Sequence, residues 1–283
     1  METPGTSGTE VPISDPLFQE AVAAIAAGDV SALEPLLGSH PELVRDRLDF
    51  GEGYFRHPYL LWFVAENPIR KGTLPGNIAQ VTRTILQAAE RHAADTLREQ
   101  MDYALALVCS GRVARECGVQ RELIDVLGDA GADLDGALVP ALAHRELAAA
   151  EQLLERGATL TLLAAVCTGR ANDVARLAPV ASPADRQAAL AGAALYGKAD
   201  SLALLIPLGV DLNAYNPPGF HPHGTSLHHA VDSGSLDAVK ALVEAGADLD
   251  AKDRIYQGTP LDWAEHLQRS EIAAYLRETK DER

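Results

Sequence analysis

Apolar residues in this chain recur at three- and four-residue spacing in short bursts, and the bursts come in pairs. The clearest pair lies between Gly224 and Asp253. Leu227, Ala230 and Val231 form one stripe at i, i+3 and i+4, the signature of a helix face. Thr225 precedes them as an N-cap whose hydroxyl can accept from an unpaired first-turn amide. Gly234 ends the helix, because glycine enters the left-handed conformation at little cost. Leu236, Val239, Leu242 and Val243 mark a second helix, Gly246 closes it, and Ala247-Asp248-Leu249-Asp250 leads away. Two short antiparallel helices cannot bury both apolar faces alone, so this stretch needs neighbours built like itself.

The pattern recurs upstream and downstream. Helix pairs are expected at Phe18 to Ala27 with Val30 to Leu37, and at Pro58 to Asn67 with Ile78 to Ala89. A third pair is Tyr103 to Ser110 with Arg121 to Gly128, separated by an insertion at Arg112 to Gln120. The exits Gly131-Ala132-Asp133-Leu134 and Gly157-Ala158-Thr159-Leu160 lie 26 residues apart, room for two helices but no projecting hairpin. Leu162 to Thr168 with Asn172 to Leu177, and Asp185 to Tyr196 with Ala199 to Leu208, follow. Ser270 to Arg277 forms the last helix. Long irregular connections interrupt the first half, at Asp46 to His57 and at residues 68–76.

The strong pair and its neighbours are in register. Gly209-Val210-Asp211-Leu212 and Gly246-Ala247-Asp248-Leu249 are displaced by 37 residues, as are Gly197 and Gly234. Thr225-Ser226-Leu227-His228-His229-Ala230 follows the T-P-L-H-x-A signature with Ser for Pro, and Thr259 to Ala264 follows it with Asp262 for His. In these motifs the chain resembles the ankyrin repeat, whose period is about 33 residues. The resemblance implies an all-α solenoid of about eight helix-turn-helix repeats with short β-hairpin or loop connections, over residues 16–279. Residues 1–15 read as a disordered tail and 280–283 as a charged end. It also implies a non-catalytic, protein-binding module, with the partner on the concave face and the finger loops.

Composition narrows the classes. Net charge is −16, from 24 basic and 40 acidic side chains, which disfavours nucleic acid, where affinity comes largely from Lys and Arg on phosphates. Three cysteines, Cys109, Cys117 and Cys167, form no C-x-x-C pair and read as reduced thiols of a cytoplasmic protein. No apolar run approaches the roughly 20 residues of a membrane span. Monomer and weak dimer both remain open.

Candidate chemistry falls in two places. Six of the fourteen aromatics lie between residues 50 and 63, Phe50, Tyr54, Phe55, Tyr59, Trp62 and Phe63, with Arg56 among them. Aromatics and Arg enrich binding hot spots, but a long loop can equally fold back on its own small core. With Glu66 and Asn67 on the adjacent inner helix, this loop, 46–76, carries the alternative of a small-molecule or enzymatic site. The second place is His221, His223, His228 and His229, four of the nine histidines. Three imidazoles near Asp232 could bind zinc; without Cys or H-E-x-x-H spacing no metal is assigned, and no cofactor is expected. Nucleophile-elbow, P-loop and dinucleotide motifs are absent from the sequence. Under the resemblance, the partner surface adds Tyr196, His229, Asp232, Trp263 and His266 on inner helices, and Tyr215, Phe220, His221, His223 and Tyr256 on fingers, to Tyr54, Phe55, Arg56, Trp62, Phe63, Glu66 and Asn67.

Overall fold

A computed structural model describes residues 13–282, and the tail expected over 1–15 lies, up to residue 12, outside them. The described residues form helices throughout, with a single isolated antiparallel bridge between Tyr215 and Thr225. Contacts divide the chain into two units, one ending at Ala158 and the other beginning at Thr159.

The first unit begins with α1 (Pro16–Ala27), whose start is fixed by Asp15 accepting from the amides of Leu17 and Phe18 at 2.9 and 3.1 Å. Two first-turn donors are thereby satisfied. α2 (Val30–Ser39), the one-turn α3 (Glu42–Arg45) and α4 (Ile78–His92) follow, then α5 (Leu97–Ser110), α6 (Arg112–Glu116), α7 (Gln120–Asp129), α8 (Leu134–Ala143) and α9 (Leu147–Glu155). Between α3 and α4, Leu60–Ala65 is a 3₁₀ helix and not the α-helix expected over Pro58 to Asn67. Glu66 ends it in the left-handed region, φ 48°, which closes the turn before a longer helix can form. The insertion expected at Arg112 to Gln120 contains α6, and α3 was not foreseen. α1, the 3₁₀ helix, α5 and α8 pack as an inner row, and α2, α4, α7 and α9 as an outer row.

The second unit comprises α10 (Leu162–Cys167), α11 (Ala171–Leu177), α12 (Pro183–Leu195), α13 (Ala199–Leu205), α14 (Ser226–Ser233), α15 (Leu236–Glu244), α16 (Pro260–His266) and α17 (Ser270–Glu282). α10, α12, α14 and α16 pack in sequence, and α11, α13, α15 and α17 line up behind them. Alanines make the inner row thin: Ala165, Ala189, Ala193, Ala194, Ala230 and Ala264 are all fully buried, with Leu190 and Leu227 between them. Gly197 shows why the turns are glycine. Its φ is +62°, and a Cβ there would sit 2.8 Å from Ser235 Cβ, too close for any other residue. Four helix pairs stand in each unit, matching the eight or so repeats expected.

Candidate functional site

The aromatic loop of the first unit packs inward. Phe55, Tyr59, Trp62 and Phe63 are buried, whereas Tyr54 is 61% exposed and Arg56 is exposed. Phe55 meets Phe63 edge-on at 5.4 Å, Tyr59 meets Trp62 edge-on at 5.5 Å, and Trp62 lies 4.3 Å from Tyr103. Trp62 Nε1 donates to the Gln100 carbonyl at 3.2 Å, which satisfies the indole inside the core. Arg47 covers the outer side, 4.3 Å over the Tyr59 ring and paired with Glu99.

Glu66 is 3% exposed. Its carboxylate accepts from the Arg70 and Gly72 amides at 3.0 and 3.1 Å and from the Lys71 amide, and it pairs with Arg70 Nη2 at 2.7 Å. It therefore shapes the 68–76 turn. Asn67 accepts from the Tyr54 hydroxyl at 2.9 Å. A cavity of about 390 Å³ opens beside this region, lined by residues 49–53 with Arg56 and His57; a second, of about 280 Å³, lies between Ser14 and Asp49. Trp62, Phe63 and Glu66 line neither.

In the second unit two loop tips stand side by side, residues 215–224 and 252–258. Asp253 holds the second tip from within. Fully buried, it accepts from the amides of Ile255 (2.8 Å), Tyr256 (2.7 Å) and Gly258 (2.9 Å) and from Trp263 Nε1 (3.0 Å). Burial pushes its carboxyl up, but the Tyr256, Trp263, Ile255 and Gly258 donors outweigh burial and hold it below its ordinary value. With its amides turned inward, the tip presents Ile255 at 60% and Tyr256 at 48% exposure. The sequence reading missed Asp253; an Asp followed by a Gly five residues on is the available signal, because Asp side chains bond their own following amides in tight turns.

The tips are tied to each other. Tyr215 donates its hydroxyl to the Lys252 carbonyl at 2.7 Å, Arg254 lies 3.9 Å over the Tyr215 ring, and Arg254 N donates to the His223 carbonyl at 2.8 Å. His228 crosses between them as well. Its Nδ1 accepts from the Thr225 amide at 3.2 Å, which leaves Nε2 to donate to the Gly258 carbonyl at 3.1 Å. One repeat later Asp262 takes the histidine's capping role, accepting from the Thr259 amide at 2.8 Å and hydroxyl at 2.7 Å.

A family model described as ankyrin repeats, in three copies, matches residues 162–253 and 190–282. Residues 162–282 carry ankyrin repeats. A mouse protein named ankyrin repeat and SOCS box protein 6 is 38% identical over 76 residues, 27% of this chain and 18% of that protein. The chain thus spans under a fifth of that relative's length. Ankyrin repeats are generally protein–protein interaction modules, and the family is typically non-enzymatic.

Within the ankyrin stack the expected surface residues divide by exposure. Tyr256 and His266 are exposed, and Tyr196, Tyr215, His221 and His223 are half-buried. Phe220, His229, Asp232 and Trp263 are buried. His221 has φ +54°, so the backbone turns tightly between Phe220 and His223. Among the described residues no three His, Cys, Asp or Glu are arranged to hold a metal ion, and no helix is long and apolar enough to cross a membrane.

Proposed function

We propose that the chain is a non-catalytic protein-binding module and that its partner contacts the paired tips at 215–224 and 252–258. One observation carries the reading: Ile255 and Tyr256 are large apolar side chains held outward by a buried carboxylate that fixes their backbone. A preorganised tip loses little entropy on binding, and aromatic anchors on rigid backbone are what hot spots are made of. The acidic balance of the chain, −16, favours a partner whose contact surface is basic around an apolar centre. The three free thiols, two of them buried, suit a reducing compartment.

The test is capture of partners by the tagged chain, identified by mass spectrometry, against Ile255→Asp combined with Tyr256→Ala. Both sites are exposed, so melting temperature should hold within about a degree or two. Loss of specific partners in the double variant supports the assignment. An unchanged set of captured proteins overturns it.

A further inference from the structure

The rings of His221, His223 and His229 form a triangle with centroid separations of 5.4, 5.9 and 6.0 Å. Trp263 closes the group, stacked on His223 at 5.9 Å and meeting His228 and His229 edge-on at 5.1 and 5.9 Å. His229 is 3% exposed, and neither of its ring nitrogens meets a partner with hydrogen-bond geometry. It packs as a neutral aromatic.

Two different parts of the fold supply these rings. His228, His229 and Trp263 stand on α14 and α16, inside the helix stack. His221 and His223 belong to the 215–224 tip, outside that stack. Within the tip Asn216 N donates to the Gly224 carbonyl at 3.0 Å, Phe220 N to the Pro217 carbonyl at 3.0 Å and Gly224 N to the His221 carbonyl at 3.4 Å; towards the second tip the carbonyl of His223 accepts from Arg254 N and the Tyr215 hydroxyl donates to the Lys252 carbonyl. We propose that the histidine group is a proton-operated latch: neutral, it keeps the 215–224 tip packed on Trp263, and on protonation it releases that tip from the helices. This stands whether or not the tips bind a partner.

The surrounding charges do not cancel the effect. Asp253 and Asp232 favour a protonated His223, but burial and the neighbouring His221 outweigh them. On His229 the facing titratable groups are His221, His223 and His228, all of which oppose a positive charge. Burial pushes His229 well below its ordinary value; the neighbouring histidines add to this, and the main chain of His221 only partly offsets it. His223 and His228 are lowered by burial too. The sign follows from linkage. Above about pH 6.5 His223, His228 and His229 are neutral whether the tip is packed or released, and they add no pH dependence. Below it the released tip takes up protons that the packed one refuses, favouring release by about tenfold per pH unit for each such ring.

The test is amide hydrogen exchange on the full chain from pH 7.5 to 5.0, with each rate divided by the intrinsic rate at that pH. The expected result is constant protection over 215–224 and at Arg254 above about pH 6.5, then a fall of tenfold or more per pH unit, while α10 and α12 keep theirs. His229→Phe keeps a ring and removes the deepest titrating group, so it should flatten the slope. His223→Gln, on the outer side of the group, should lower it and serves if the first variant does not fold. Flat protection over 215–224 down to pH 5.0 would overturn the proposal. So would a fall shared by α12, which is global acid unfolding, or a slope unchanged in the variants.

Discussion

Asp253→Ala tests whether one buried carboxylate organises the second tip. The substitution removes four acceptor contacts at once. Not all four losses cost equally. The amides of Ile255 and Tyr256 belong to exposed residues, and water can replace the carboxylate there once the tip relaxes. Trp263 Nε1 cannot be rehydrated in this way, since Trp263 is 4% exposed, and the half-buried Gly258 amide faces the same space. Leaving two such donors unpaired costs about 1–3 kcal/mol each, so roughly 2–6 kcal/mol is expected, with the lower half favoured if the indole shifts. Asp253→Asn keeps one acceptor oxygen but turns an NH₂ toward two of the donors, and should recover less than half of the loss. Urea unfolding followed by far-ultraviolet circular dichroism gives the difference, provided the slope of the transition is unchanged between variants. The tip should also become a protease target between Lys252 and Arg254, which separates local opening from global weakening. A loss below about 0.5 kcal/mol, the level of an ordinary surface substitution, would refute the account, because four real charge-assisted bonds cannot vanish without a larger effect.

The same carboxylate gives a pH prediction: its folded value is held below the ordinary 3.8, so its contribution is present above about pH 4 and is lost as pH falls through the folded value. Asp253→Asn should therefore be less acid-sensitive below pH 4 than the parent, measured by melting temperature against pH. Glu66→Gln should release the 68–76 turn and accelerate tryptic cleavage after Arg70 and Lys71 several-fold; an unchanged cleavage rate counts against Glu66 as the organiser of that turn. Trp62→Ala should cost about 3–5 kcal/mol as a core truncation, whereas Arg56→Ala, at an exposed site, should stay within about 0.5 kcal/mol; equal effects would mean that the aromatic loop is not a packed core. Native alkylation should modify Cys117 first, since burial pushes the thiols of Cys109 and Cys167 far up, and peptide mapping showing all three modified at one rate would contradict their burial.

The legible part of the fold was the part governed by local rules. Thr225, Gly234, Thr259 and Pro260 are caps and turn residues whose conformations follow from a few neighbouring atoms, and they marked both ends of α14 and the start of α16 to within a residue. The 60–65 segment obeyed a different rule. Its apolar run, Leu60 to Ala65, satisfies a helical face equally in 3₁₀ or α form. What decides between them is Glu66 turning left-handed to bind three amides downstream, a choice made by residues not yet reached when the run is read. The site divided along the same line. The sequence offered packing and binding as two fates for the aromatics near residue 60, and long-range partners such as Gln100 and Tyr103 decide between them. Asp253 went unseen because its four donors include an indole ten residues away.

The bonds between the two tips have a consequence for anyone who would re-engineer them. Arg254 N to the His223 carbonyl, His228 to the Gly258 carbonyl, Tyr215 to the Lys252 carbonyl and the Asp248 amide to Asn213 each join one repeat to the next. A repeat array is usually treated as a row of interchangeable tiles, yet here the tile boundary runs through a shared seam. Grafting the 252–258 tip alone into another scaffold would leave behind the Tyr215 ring beneath Arg254 and the His223 carbonyl that receives its amide. The smallest portable unit of this surface is therefore two repeats wide.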